Sequence, residues 1–159
     1  MALQTTLCYL EKDGCYLMLH RVKKKNDVNK DKWIGVGGKF EPGENALACV
    51  TREVLEETGC RVHAPAYRGV LHFVCPPWES EDIHLYTCTD FDAPSPLPDC
   101  DEGTLCWVPK TDIAKLPLWQ GDQIFFDLLD QNAPFFHLGL TYDGDALTNA
   151  TLDGRPLPV

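Results

Sequence analysis

The segment from Gly37 to Gly59 constrains this chain more than any other, because it prescribes a turn, a helix and a stop in one stretch. Gly37-Gly38-Lys39-Phe40-Glu41-Pro42-Gly43-Glu44 is a glycine-rich loop, and such glycines let backbone pass close to a ligand or metal, although glycine-rich turns are common. From Asn45 to Thr58 the apolar spacing becomes helical, with Gly59 where a left-handed C-terminal cap belongs. At 100° per residue, with Glu53 at the centre of one face, Glu56 falls about 60° to one side and Glu57 about 40° to the other. The small residues Ala46 and Cys49 share that stripe, while Leu47, Val50 and Val54 lie about a quarter-turn away and make the expected core face.

Three carboxylates on one stripe oppose helix formation. Like charges three and four residues apart repel by ~0.2–0.5 kcal/mol per pair. Acids in the last turn also face the negative end of the helix dipole, at ~0.3–1 kcal/mol each. A solvated acidic face is the ordinary alternative, but such faces interleave cations, and only Arg52 flanks this cluster. A hard divalent cation offsets both penalties, because Mg²⁺ takes oxygen ligands and commonly bridges carboxylates to substrate phosphates.

The rest of the chain supplies strands for this helix to pack on. Thr5–Leu10 and Cys15–His20 alternate as strands around the turn Lys12-Asp13-Gly14. Trp33–Gly38 is a short apolar stretch, and Arg68–Cys75, Asp82–Thr89 and Thr104–Val108 read as further strands. Thr111–Leu116 and Asp122–Leu129 are expected to be helical, Phe91–Pro98 to be a loop, and Phe135–Thr141 with Ala146–Leu152 to close a final hairpin. Strands mixed with a few helices predict an α/β (α+β) fold, a mixed β-sheet sandwiched between helices. At 159 residues, one domain spanning residues 1–159 is expected.

A formal net charge of −10 argues against a nucleic acid polymer as partner, since such binding depends on Lys and Arg neutralising phosphates. Basic residues do gather between Arg21 and Lys39, enough for a small anionic ligand, although most of those lysines taken singly read as solvated loop. No apolar run approaches the roughly 20 residues that span a bilayer, and Met1–Leu7 lacks the pattern of a secretion signal. The expectation is a cytoplasmic protein with no membrane partner. The 8 cysteines include no CxxC pair and several lie in apolar contexts, so reduced, mostly buried thiols are expected.

Gly38, Glu44, Arg52-Glu53-Val54, Glu56-Glu57, Thr58 and Gly59 stand in the spacing of the Nudix box. Seven fixed letters in register arise by chance on the order of once in 10⁸–10⁹ windows. The chain therefore resembles the Nudix hydrolases, and among them the MutT and MutX-type nucleotide-pool sanitising enzymes. Leu19-His20-Arg21, Lys32-Trp33-Ile34-Gly35-Val36-Gly37-Gly38-Lys39, Trp107-Val108-Pro109, Trp119 and Gly121-Asp122 extend the likeness beyond the box. The resemblance implies the Nudix fold, an α/β/α sandwich, and Mg²⁺ as cofactor with Mn²⁺ able to substitute. It implies metal ligation by the Gly37 carbonyl, Glu56 and Glu57, with Glu102 as a further ligand or base, and Glu53 either ligating metal or activating water. Arg52 would orient the acids, and Glu44 would support the helix start and the metal shell. Arg21, Gly38 and Lys39 are assigned to the phosphate path, with an ordinary surface role as the alternative for Lys39. Trp119 and Asp122 hold positions that lie beside the base in the similar animal oxidised-purine triphosphatases. Those enzymes differ in having asparagine at the place of Ile34 and a second acid at the place of Gly121.

The implied reaction is attack of water at the β-phosphorus of a nucleoside triphosphate, releasing a nucleoside monophosphate and pyrophosphate, with 8-oxo-dGTP the leading substrate. Two alternatives stand beside it. One is a pyrophosphatase for another nucleoside triphosphate or a nucleoside diphosphate derivative. The other is a Nudix-fold module that senses a nucleotide without cleaving it, against which the full set of Glu53, Glu56 and Glu57 argues. His72 and His84 fall on expected strands, where a structural role competes with a place in the base pocket.

Overall fold

Along Leu3–Lys12, the first strand (β1), side chains alternate between two cores. Leu7 and Tyr9 join one, Cys8 and Leu10 the other. The computed structural model describes Met1–Val159. β2 (Cys15–His20) returns antiparallel beside β1 after the Asp13-Gly14 turn and divides in the same way, Tyr16 and Met18 against Leu17 and Leu19.

The remaining elements follow in chain order as β3 (Trp33–Ile34), α1 (Ala46–Thr58), β4 (Arg61–Val62), β5 (Ala66–Val74), β6 (Glu81–Cys88), β7 (Phe91–Asp92) and β8 (Thr104–Pro109). A 3-10 turn (Lys110–Lys115) then leads to α2 (Asp122–Asp130), β9 (Phe136–Asp143), β10 (Ala146–Leu152) and β11 (Arg155–Leu157). A 9-stranded sheet runs β11-β10-β9-β5-β6-β1-β2-β3, with β8 also paired to β2. β1 lies parallel to β6 and β5 parallel to β9, while the other pairs are antiparallel, so the sheet is mixed. α1 covers one face through Val50 and Val54, and α2 the other through Phe125, Phe126 and Leu129. The result is the expected α/β/α sandwich. No helix is long and apolar enough to cross a membrane.

α1 begins and ends where its local chemistry directs. The Asn45 side chain accepts the Ala48 N–H at 2.8 Å, an N-cap worth about 1 kcal/mol. Gly59 takes a left-handed conformation, φ 74°, and donates its N–H to the Leu55 carbonyl. Burial of Val50 and Val54 stabilises the helix by about 1.5–3 kcal/mol each, more than the acid repulsions remove. The helix therefore stands on its packing, without need of an ion.

The structure corrects the sequence expectations at three places. Leu47, in the first turn of α1, is 51% exposed and belongs to neither core cluster; Cys49, Val50, Val54 and Thr58 are the buried positions instead. Phe91–Asp92, expected to be loop, pairs with Arg61–Val62 in a separate two-stranded sheet. The closing hairpin gains a third strand, β11, after a second Asp-Gly turn at Asp153-Gly154. Cys8, Cys49, Cys60, Cys75, Cys88 and Cys100 are buried, and every cysteine is a free thiol.

Candidate active site

The glycine loop approaches β1 so closely that side chains are excluded. A Cβ on Gly37 would sit 2.0 Å from the Thr6 carbonyl oxygen, and one on Gly38 would sit 2.6 Å from the Glu53 carboxyl carbon. The loop is held by bridges from Cys8 to Val36 and from Thr5 to Lys39. Thus the Gly37 and Gly38 backbone is laid directly against the acidic stripe of α1.

Arg52 organises that stripe. Its Nε and Nη2 grip the two Glu44 oxygens at 2.7 and 2.8 Å, while Nη1 reaches Glu53 at 2.8 Å and Glu56 at 3.2 Å. Nη2 also donates to the Lys39 carbonyl, tying the helix to the loop. Glu44 further accepts the Glu41 N–H. The Arg52 hydrogen bonds hold the Glu44 carboxyl down at about 2.

The three helix acids occupy different surroundings. Glu53 is mostly buried and lines the cavity beside the loop, whereas the Glu56 side chain is 59% exposed. Glu57 lies behind the loop, where its carboxylate accepts the Gly37 N–H at 3.4 Å. Burial, then the charges of Glu102 and Glu53, hold Glu57 well above the usual carboxylate range. Glu102 arrives from the loop before β8 and pairs with Arg21 at 3.1 Å and Lys24 at 3.3 Å.

Negative charge at this end exceeds the cations that reach it, and the donors are oxygens throughout, a set that suits Mg²⁺ or Mn²⁺. No three histidine, cysteine, aspartate or glutamate side chains are already gathered in metal-site geometry. Ion binding would therefore draw Glu53, Glu56, Glu57 and Glu102 inward, against the partial hold of Arg52 and Arg21.

The adjoining cavity has a volume of about 580 Å³, within the range of small-molecule sites. Of the residues singled out in the sequence, Gly37, Gly38, Glu53, Glu102, Arg21, Lys39, Trp119 and Asp122 line it. Arg52, Glu44, Glu56 and Glu57 do not line it. Arg21 is already engaged by Asp27 at 2.8 Å as well as by Glu102, while Lys39 lies exposed at the rim.

Leu71, Phe73, Ile83 and Leu140 give the cavity an apolar floor, on the α2 side of the sheet. Trp119 is fixed by donating its indole N–H to Asn29 at 2.8 Å, with the Lys32 ammonium 4.3 Å over its ring. Ile34 lines the same space. A Cβ on Gly121 would meet Tyr142 and Leu140 atoms at 2.7 Å, so an acid there would require both neighbours to move.

His72 and His84 lie outside the cavity. His72 bonds Asp82 at 2.8 Å and His137 at 3.1 Å, and His84 bonds Gln4 at 2.8 Å and packs with Tyr67, which is the structural role. Thr5, Asn29, Trp78 and Glu81, which no motif singles out, also line the cavity. An acid two residues before Ile83, on the inward alternation of a strand, was the available sign of Glu81.

Asp122, at the first turn of α2, is buried, and burial pushes its carboxyl up to about 8 against the pull of Lys32 and the Trp119 backbone. An unfolded aspartate titrates near pH 4. Between these values the folded chain retains a proton that the unfolded chain has lost, so this group's contribution to stability falls as pH rises. Without metal, Asp122→Asn is expected to melt increasingly above the parent chain as pH goes from about 5 to about 8. A melting difference that stays constant across that range contradicts the assignment.

Residues 4–129 match the NUDIX domain family. The chain is 29% identical over 142 residues to a Nudix hydrolase of Bacillus subtilis, covering 87% of this chain and 86% of that one. It is 29% identical over 134 residues to the oxidized purine nucleoside triphosphate hydrolase of Danio rerio, covering 82% and 83% of the two chains. It also matches the crystal structure of the mutator MutT protein of Bacillus halodurans with a TM-score of 0.82 at 25% identity, over 97% of this chain and 99% of that one.

Proposed function

Because this chain belongs to the NUDIX domain family and is a hydrolase of nucleotide derivatives, we propose that its substrate is a nucleoside triphosphate, with 8-oxo-dGTP the leading candidate. Residues 1–159 act as one hydrolase domain in the cytoplasm, on a small nucleotide and on neither a nucleic acid polymer nor a membrane. The observation that carries this reading is one continuous cavity, in which an apolar floor beside Trp119 and Asp122 opens onto Gly38, Glu53, Arg21 and Lys39. One end suits a base and the other a polyphosphate.

Mg²⁺, with Mn²⁺ able to substitute, would be held by the Gly37 carbonyl, Glu56, Glu57 and Glu102, leaving Glu53 free as the base, and would supply charge neutralisation for the triphosphate and the departing pyrophosphate. Glu53 is the helix acid that borders the cavity, so it takes the proton from the attacking water. The new bond joins water oxygen to the β-phosphorus, the α–β bridging bond breaks, and nucleoside monophosphate and pyrophosphate leave. Arg52 and Glu44 keep Glu53 and Glu56 oriented. Lys39 at the rim, with Arg21 behind it, attracts the phosphates.

The base end rests on Trp119 and Asp122. A carboxyl that still carries its proton near neutrality can donate as well as accept, which matches an oxidised purine's mixed edge. Ile34 and the crowding at Gly121 leave fewer polar groups here than in the animal relatives, and this favours the second reading, another nucleoside triphosphate or a nucleoside diphosphate derivative. A substrate screen with pyrophosphate detection separates the two. The expected result is a higher kcat/KM for 8-oxo-dGTP than for dGTP. Equal values remove the oxidised-base reading and leave the hydrolase, whereas no pyrophosphate from any nucleoside triphosphate removes triphosphate cleavage itself.

A further inference from the structure

Glu81 is an acid on an apolar face of the sheet and outside the chain's salt bridges. It opens β6 on the same face as Ile83 and Leu85, which pack into the α2-side core. Its cross-strand neighbours are Leu3 on β1 and Phe73 on β5. An acid in such an apolar setting is unfavourable unless paired, and burial does push its carboxyl upward, with Thr5, Lys39 and Arg21 opposing. Yet Glu81 is outside the salt bridges that engage Arg21, Lys24, Lys32 and Arg52.

Thr5 sits beside it, on the same face of β1, and its buried hydroxyl oxygen lacks a well-formed hydrogen bond. Both residues line the cavity. A buried polar atom without a partner is uncommon in folded proteins, and Thr5, whose hydroxyl can reach only the Glu81 carboxyl beside it, leaves that carboxyl's remaining acceptors turned to the cavity for a partner that enters from it.

The shape of the wall narrows what that partner is. Leu71, Phe73 and Ile83 around Glu81 form an apolar floor suited to a flat aromatic ring. A carboxylate offers two adjacent acceptors, and the complementary ring edge is a pair of neighbouring N–H donors. Among the common bases, guanine presents such a pair, its ring N1–H beside its 2-amino group.

We propose that Glu81 is a base-reading residue, whose carboxylate, with the Thr5 hydroxyl beside it, selects purines carrying the guanine-type N–H pair. This rests on the reading of the cavity as a nucleotide site. It adds a specificity-determining contact at a distance from Trp119 and Asp122 in sequence and on a different element of the fold.

The test removes the 2-amino group from the ligand and the carboxylate from the protein. Affinities for dGMP, dIMP and GMP are measured by calorimetry at about pH 8 without metal, so that no turnover is required. The parent chain is expected to bind dGMP about 10-fold or more tighter than dIMP, the scale of a good bidentate base contact. In Glu81→Leu the ratio is expected to approach one, and Glu81→Gln, which turns one acceptor into a donor, is expected to lose most of it. Thermal melts of both variants establish that they are folded. A parent ratio of one, or a ratio unchanged in folded Glu81→Leu, overturns the proposal. So does a change in the GMP to dGMP preference with the dGMP to dIMP ratio intact, which assigns Glu81 to the sugar. Hydrolysis of dGTP by the parent chain is measured separately. Hydrolysis with no base-edge effect sinks the Glu81 proposal alone, and a base-edge effect with no hydrolysis sinks the triphosphatase reading alone.

Discussion

Glu53→Gln is expected to lower kcat by about 10²–10⁴-fold, the usual contribution of a positioned general base, with little change in KM. Glutamine keeps the shape and can still accept the 2.8 Å hydrogen bond from Arg52 Nη1, so the neighbouring acids stay in place. What it loses is the ability to take a proton from water at the cavity wall. Glu56→Gln should also cost orders of magnitude, but through weaker metal binding. Its side chain is more than half exposed and does not border the cavity, so excess Mg²⁺ should restore part of its rate and none of that lost in Glu53→Gln. Steady-state kinetics across a Mg²⁺ titration checks both, and a fully active Glu53→Gln enzyme ends the assignment.

Removal of divalent ions is expected to have a still larger effect. Excess chelator should take hydrolysis to background, since the ions are asked to supply several kcal/mol of charge stabilisation to the triphosphate. The same ions should raise the melting temperature, because a ligand at about 100 times its Kd adds about 2.7 kcal/mol to the folded state. Glu57 makes this measurable at the level of one residue. Its carboxylate is confined behind the Gly37 N–H among other acids, so Glu57→Gln should stabilise the metal-free protein while abolishing most of the Mg²⁺-dependent rise. Undiminished activity in chelator, or a Glu57→Gln protein that gains as much from Mg²⁺ as its parent, contradicts the metal site.

Much of the reactive end was legible because its determinants are local. Asn45, the acids of α1 and Gly59 lie within one stretch, and each acts on backbone or side chains a few positions away. Leu47 shows where that reading stops. A wheel angle places a residue on a face but says nothing of whether another element covers that turn of the helix, and the first turn at Leu47 is left exposed. β7 was missed because its partner, β4, lies about thirty residues upstream, and two-residue strands carry almost no pattern. The base end is assembled from β1, β5, β6, β9, the loop around Asn29 and the start of α2, so no single window contains it. Glu81 was lost for a smaller reason: the strand was expected to start at Asp82, one residue late, which left its inward acid counted as loop.

Tyr9 and Cys8 are adjacent in the chain yet belong to different cores, and the same division separates the two ends of the cavity. The acids are carried by α1 on one layer, while Leu71, Phe73, Ile83 and Glu81 lie on the opposite layer. Exchanges among those floor residues therefore repack a different core from the one that seats α1. A scaffold partitioned in this way can drift from one nucleotide to another by repainting a single surface, while the bond-breaking machinery is inherited untouched.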